Sequence, residues 1–571
     1  MRWHPTTDYR SFYFLNATQF LGALNDNIFK LLVIYLLINV QGPSASGKIL
    51  SIAGAVFVIP FLVFSSSAGV LADRLSKRTI IVYTKILEIF IMLFGLLAVY
   101  LESAIGAYTA LFFMATQSSI FGPSKYGVIP ELVESKMVSK ANGSMTSFTY
   151  LAIILGTFLA SFITDITDKN FVLVATFCVF IALAGFSASL GIKRTAPQNS
   201  SKKINPFFIY EVYQTLKMAW KIPHLIPAIF GSSFFLFIGA YTQLNIIPFA
   251  IESLHLSEVG GGYLFLATAV GIALGAVLAG QISKDKVELG ISCVTGFFIS
   301  FFFFTLYLFS WSLTATIISL ACLGVFGGAF LIPFESFIQV SSADEKRGQV
   351  IAATNFLSFT GVLAAAFFIF FISEELQFSA ASGFAFMGIL SLIMNVLVAG
   401  RLSELSIPFF VNKILKRIRR IALASQVPAP HQIVVFESNS WWDPLLLFSI
   451  FPKLKILVPG HYFKQFPWIN WWIDSIRIIP TDLDSRSSLE KLIKNFKEYQ
   501  EKGNSICLYF HKRTDTKEIL EKYQKIFSRL GYQIVYAHGK KERTPKRFIF
   551  FRYYLKKITM HFSTDRQPYA S

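Results

Sequence analysis

Twelve predominantly apolar stretches recur along this 571-residue chain, starting near residues 12, 49, 79, 103, 144, 170, 223, 260, 288, 312, 350 and 378. A helix needs about 20 such residues to cross a hydrocarbon core ~30 Å thick, and only helices or closed barrels satisfy their own backbone there. The pattern restricts the membrane part of the chain to a bundle of spanning helices. Hydrophobic residues make up 54% of the sequence and charged ones 15%, too apolar for an average soluble domain. The first stretch, Phe12 to Val40, is far longer than the apolar part of a cleavable signal and lacks a small-residue exit, so it reads as the first span.

Charge divides the chain near residue 401. Residues 401–571 carry 30 Lys/Arg against 14 Asp/Glu, a net +16; the whole chain carries +19, which leaves +3 for the first 400. A basic block behind a membrane domain reads as a face held against anionic inner-leaflet lipid. Nucleic acid, the other common partner of basic surfaces, is not expected, because no zinc-finger or RNP-type pattern is present. Cys178, Cys293, Cys322 and Cys507 show no C-x-x-C spacing, so neither a disulfide framework nor a metal site is expected. No cofactor is called for either.

The connections between spans fall into two sets. One holds Arg74, Lys77 and Arg78; Lys125, Lys136 and Lys140; Lys193, Arg194, Lys202, Lys203, Lys217 and Lys221; Lys284 and Lys286; Lys346 and Arg347. The alternate set holds little beyond Lys48 and Lys169, beside several acids. Lys/Arg-rich short loops face the cytoplasm, so both termini are expected there. The longest basic loop, 193–222, divides the spans six and six.

Ionisable residues inside spans are costly and mark candidate sites. Asp26 lies within the first span with Lys30 one turn later, a spacing that suits an ion pair along one helix face as well as a ligand contact. Lys85 and Glu88 in the third span read as a structural pair. Gln243 and Asn245 precede Pro248 in the seventh span, a polar, bent segment that suits a cavity wall or a helix–helix hydrogen bond.

Several motifs carry a resemblance. Gly69-Val-Leu-Ala-Asp-Arg-Leu-Ser-Lys-Arg78, between the second and third spans, resembles the signature of the major facilitator superfamily, with Gly69, Asp73, Arg74, Lys77 and Arg78 in the gating positions. The second half has only an echo, Gly275-Ala-Val-Leu-Ala-Gly-Gln-Ile-Ser-Lys284, in which Gly280 replaces the acid. Ala23-Leu-Asn-Asp-Asn27, Phe121-Gly-Pro-Ser-Lys-Tyr-Gly-Val-Ile-Pro-Glu131, Pro333-Phe-Glu-Ser-Phe-Ile-Gln339 and Glu345-Lys-Arg-Gly-Gln-Val-Ile-Ala-Ala-Thr-Asn355 look like the bacterial lysophospholipid transporter family. The resemblance implies a mainly α, polytopic 12-helix major facilitator fold in the inner membrane, with six-helix halves 1–192 and 223–401. It implies a lysophosphatidylethanolamine-like substrate moved by alternating access. Asp26, Asn27, Lys30, Lys125, Gln243 and Asn245 are its substrate-binding candidates, and Glu131 and Arg347 are expected to hold the cytoplasmic ends of the halves together.

Beyond a basic amphipathic linker, 402–430, strand-like and helix-like segments alternate over 431–571, which reads as a small α/β domain on the cytoplasmic side. Its Glu437-Ser-Asn-Ser-Trp-Trp-Asp443 resembles the N-H-x-x-x-x-D motif of glycerolipid acyltransferases, but Ser438 stands where the general-base His belongs. Asp443 remains, and no F-P-E-G motif follows. The expectation is a degenerate acyltransferase-like tail without catalytic residues, with a separate acyltransferase or acyl-carrier-protein ligase as its partner. A fused transporter that still re-acylates its lipid, and an exporter of small solutes on the same scaffold, stay open as alternatives.

Overall fold

A computed structural model describes residues 8–198, 200–202, 207–256, 258–283, 286–402, 405, 406 and 409, and seven strand segments beyond them. Lys203, Lys284, Ser438 and Asp443 lie outside the described residues.

The first half consists of α1 (Tyr9–Gln41), α2 (Ser46–Arg74), α3 (Lys77–Tyr100), α4 (Ala104–Gly127), the short α5 (Ile129–Leu132), α6 (Val138–Ile166) and α7 (Phe171–Leu190). A connecting helix, α8 (Phe208–Ala219), leads to α9 (Leu225–Leu254), α10 (Glu258–Ser283), α11 (Leu289–Leu308), α12 (Leu313–Ser341), α13 (Arg347–Phe370) and α14 (Ala380–Arg401). Among the described residues, twelve of these helices are long and apolar enough to cross a membrane. Polar caps start several of them at short turns: Ser103, Asn170 and Ser312 each accept a backbone N–H of the first turn, which satisfies a donor the helix cannot.

Within the first half α1 packs on α6 and α7, and α4 on α2 and α3. Ile28, Phe29, Leu32, Leu36 and Met114 are fully enclosed there. In the second half α12 packs on α10 and α11, and α9 on α13. The α10–α12 crossing depends on glycine: a Cβ on Gly275 would collide with the Val325 carbonyl, and one on Gly328 with that of Ile272. Small residues four apart let spanning helices approach backbone to backbone. The halves meet along α2–α13 and α6–α10.

Residues 1–395 and 396–571 form two compact units, with the division inside α14, just before the change in charge at residue 401. The second unit holds a seven-stranded sheet in the order β1 (Arg420–Leu423), β7 (Phe551–Ser563), β6 (Gln533–Phe548), β2 (Gln432–Glu437), β5 (Ser505–Phe510), β3 (Leu454–Pro459), β4 (Ile478–Thr481). β6, β2, β5, β3 and β4 run parallel, while β7 returns antiparallel on β6. Ile433, Val434, Val435 and Phe436 are buried in succession, as are Ile506, Cys507 and Leu508, the burial of strands covered on both faces. Six of the seven strands fall within 431–571, where strand-like segments are expected, whereas β1 falls inside the stretch 402–430 read as a basic amphipathic linker.

Candidate functional site

A cavity of about 360 Å³ lies where the two halves face each other. Helices α1, α2, α3, α4 and α6 contribute one wall, and α9, α12 and α13 the other. Its polar groups are set in place by hydrogen bonds between helices. Asp26 accepts from Ser118 Oγ on α4 at 2.8 Å. Lys125 Nζ donates to Gln19 Oε1 at 3.0 Å, and Gln19 in turn donates to Thr149 Oγ1 at 3.2 Å. The Lys125 ammonium stands 4.9 Å from the Tyr126 ring centroid and 5.5 Å from that of Phe121, a geometry in which a cation is attracted to the ring faces. Aromatic surface lines the rest: Phe61 of α2 stacks on Phe359 of α13 across the halves, with centroids 4.0 Å apart, and Phe57 lies beside them.

Lys85 also borders the cavity, but its ammonium is spent on Glu88 at 2.5 Å, and Asn25 donates to the other Glu88 oxygen at 3.0 Å. Gly22 makes room for it, because a Cβ there would collide with Lys85 Nζ. Asn27 lines the cavity while its amide donates to the Ala23 carbonyl one turn back.

The structure leaves three of the expected binding residues outside. Lys30 does not pair with Asp26 and does not border the cavity; it lies over the Phe57 ring at 5.1 Å, because Asp26 is turned toward α4. Asn245 faces α14 and donates to the Ala380 carbonyl at 2.8 Å, and Gln243 is exposed and does not border the cavity. Ser232 and Leu236, nearer the start of α9, are what that helix gives to the cavity. Conversely, Glu335 of α12 lines it and was passed over. The signal was available, since Glu335 is an acid inside an apolar span.

Between the cavity and the ends of the helices that carry the basic loops, the halves are closed against each other. Asp73, fully enclosed at the end of α2, accepts from the backbone N–H of Gly348 at 2.6 Å and of Gln349 at 3.0 Å, and from the Gln349 amide at 3.0 Å. It thereby caps α13 across the interface, where the unpaired N–H groups and the positive helix end favour an anion. The backbones are close enough that a Cβ on Gly69 would strike Gly348 and Ala352. On the other seam, Asn142 donates to Ser336 Oγ at 3.1 Å and exchanges a reciprocal amide pair with Gln339 at 2.9 and 3.0 Å. Gly280, which replaces the acid in the second-half echo, sits against the Ser139 carbonyl and Lys140 Cα. A side chain at that position would push α6 and α10 apart.

Glu131 and Arg347 do not join the halves as expected. Glu131 pairs with the buried Lys77 at 2.6 Å, inside the first half, and receives the Gln198 amide of the connecting segment at 3.4 Å. Arg347 donates to the Gln339 carbonyl at 2.8 Å and pairs with Asp344, inside the second. Both lie too close to partners on their own half to reach across. Arg78 donates to the Leu190 and Ile192 carbonyls at 3.4 and 3.3 Å, and Arg74 is exposed.

Two six-helix halves around a charged central cavity, sealed on one side by an acid-capped helix end, define a membrane transporter. A sequence profile of the Major Facilitator Superfamily matches residues 15–366. The chain belongs to that superfamily. It is 26% identical over 329 residues to the lysophospholipid transporter LplT of Klebsiella pneumoniae subsp. pneumoniae, covering 57% of this chain and 78% of that protein. To LplT of Yersinia pestis it is 23% identical over 360 residues, covering 62% and 84%. Among solved structures, the E. coli fucose:proton symporter FucP matches with a TM-score of 0.57 at 15% identity, over 68% of this chain and 98% of that one. A bacterial homologue of the iron transporter ferroportin in an outward-facing state gives 0.56 at 13% identity, over 70% and 99%.

Proposed function

We propose that the chain moves lysophospholipid across the bacterial inner membrane, from outer to inner leaflet, by alternating access between its two halves. The observation that carries this reading is the cavity itself. It holds charges of both signs, Asp26 and Lys125, beside the Phe57, Phe61 and Phe359 rings. A zwitterionic or anionic head on an acyl chain asks for that combination. Lys125 and Asp26 contact the headgroup, Asn27 supplies a neutral polar edge, and the chain leaves along the aromatic wall. The distant likeness to lysophospholipid transporters supports the same substrate class. The basic loops and both termini face the cytoplasm, so the contacts of Asp73 and Asn142 hold the cytoplasmic side shut. The second unit is an acyltransferase-like module that does not catalyse, because Ser438 stands where the motif it resembles has its general-base His, and a serine hydroxyl does not itself accept the proton. It rests on anionic inner-leaflet lipid and serves a separate acylating enzyme.

Uptake of labelled lysophospholipid by cells producing the chain tests the reading. Uptake above an empty-vector control is expected; none, with the protein present in the membrane, refutes it.

A further inference from the structure

Glu335 enters the cavity from α12, in the half opposite Asp26 and Lys125. Its Oε2 is shut off from solvent and has no hydrogen-bond partner among the described residues. The other charges bordering the cavity are engaged: Asp26 by Ser118, Lys125 by Gln19, and Lys85 by Glu88. A buried carboxylate oxygen without a partner is costly, and the group is relieved either by taking up a proton or by a cation that comes to it. Lys125 is within electrostatic reach of both Asp26 and Glu335, and Tyr126 lines the same cavity as Glu335. With Lys85 and Glu88 cancelling each other, Lys125 faces two carboxyl groups. When both are ionised, the site is one positive charge short.

That deficit has a chemical identity. A carboxylate in an aromatic-lined cavity is the combination that holds an organic ammonium, through charge and through ring faces together. An anionic headgroup without an amine would add to the excess of negative charge. We propose that Glu335 is the specificity-determining contact for the ammonium of the headgroup, while Lys125 takes the phosphate. The proposal rests on the lysophospholipid reading above and narrows it to ammonium-bearing, zwitterionic lipids. It also gives the ligand one contact in each half, so that binding draws α4 and α12 together.

The full-length chain and its Glu335→Gln variant, matched for membrane content, are to be compared for uptake of lysophosphatidylethanolamine and of lysophosphatidylglycerol. The ratio of the first to the second is expected to fall about tenfold in the variant, while Glu335→Asp, which keeps the charge, stays close to the wild-type ratio. An unchanged ratio in Glu335→Gln overturns the proposal. This holds when both lipids are lost together, as for a carboxylate that carries a coupling proton or supports folding, and when neither is affected. Wild-type protein that takes up neither lipid refutes the underlying reading instead.

Discussion

Glu335 apart, the charges that border the cavity answer to named partners, and the partner decides what removal does. Asp26 is positioned by one neutral hydroxyl, Ser118, so Asp26→Asn keeps the shape and loses the charge. Transport is expected to fall about tenfold or more, a loss of ~1.4 kcal/mol or above, with an unaltered amount of folded protein in the membrane. Wild-type uptake by that variant would remove Asp26 from the site. Lys85 behaves differently, because it is fully enclosed and paired with Glu88. Glu88→Ala strands a buried ammonium and is expected to lower stability by about 3–5 kcal/mol, whereas replacing both partners by methionine costs much less. Thermal unfolding of the purified protein distinguishes the two. Glu88 and Asp26 were legible in the sequence because a charge in an apolar span is conspicuous. Which way Lys30, Gln243 and Asn245 turn was not, since α1 and α9 are apolar on nearly every face and helical spacing alone does not tell the cavity side from the lipid or packed side.

At the scale of elements, the two seams between the halves are built unequally. Along α2–α13 the closing contact is ionic, the Asp73 carboxylate on a helix N-terminus. On the other side it is neutral, Gly280 of α10 against the backbone of α6 and the Asn142 amide of α6 bonded to Ser336 and Gln339 of α12. The sequence displayed both the motif and its incomplete echo. It did not say that the missing acid is replaced by backbone contact, because that depends on how closely α6 approaches. Asp73→Asn leaves a weaker cap, and a favourable charge at a helix end contributes ~0.3–2 kcal/mol, so the ratio of closed to open molecules is expected to fall several-fold. Gly280→Leu should wedge the other seam apart. Both variants are checked by labelling a cysteine at Thr354 with a membrane-impermeant maleimide from the basic-loop side, in a background free of the native cysteines. Faster labelling than in the parent is expected, and equal rates would show that these contacts do not hold the closure.

On the scale of the molecule, hydropathy and loop charge laid out the twelve spans and the six-and-six division, because the lipid environment permits few alternatives. The second unit was less legible. Buried parallel strands such as Val434–Phe436 announce themselves as apolar runs, whereas β7, with Arg552, Lys556 and Lys557 in its sequence, carries no such run. For this unit the account predicts no acyl transfer when purified chain is mixed with lysophospholipid and an acyl donor; turnover above a protein-free control would restore the two-function reading. The central claim concerns the cavity, and reconstitution tests it most directly. In liposomes containing the purified chain, acyl-chain-labelled lysophosphatidylethanolamine should cross from one leaflet to the other, protected from an impermeant quencher, faster than in protein-free liposomes and faster than with Asp26→Asn. Equal rates in all three would contradict it.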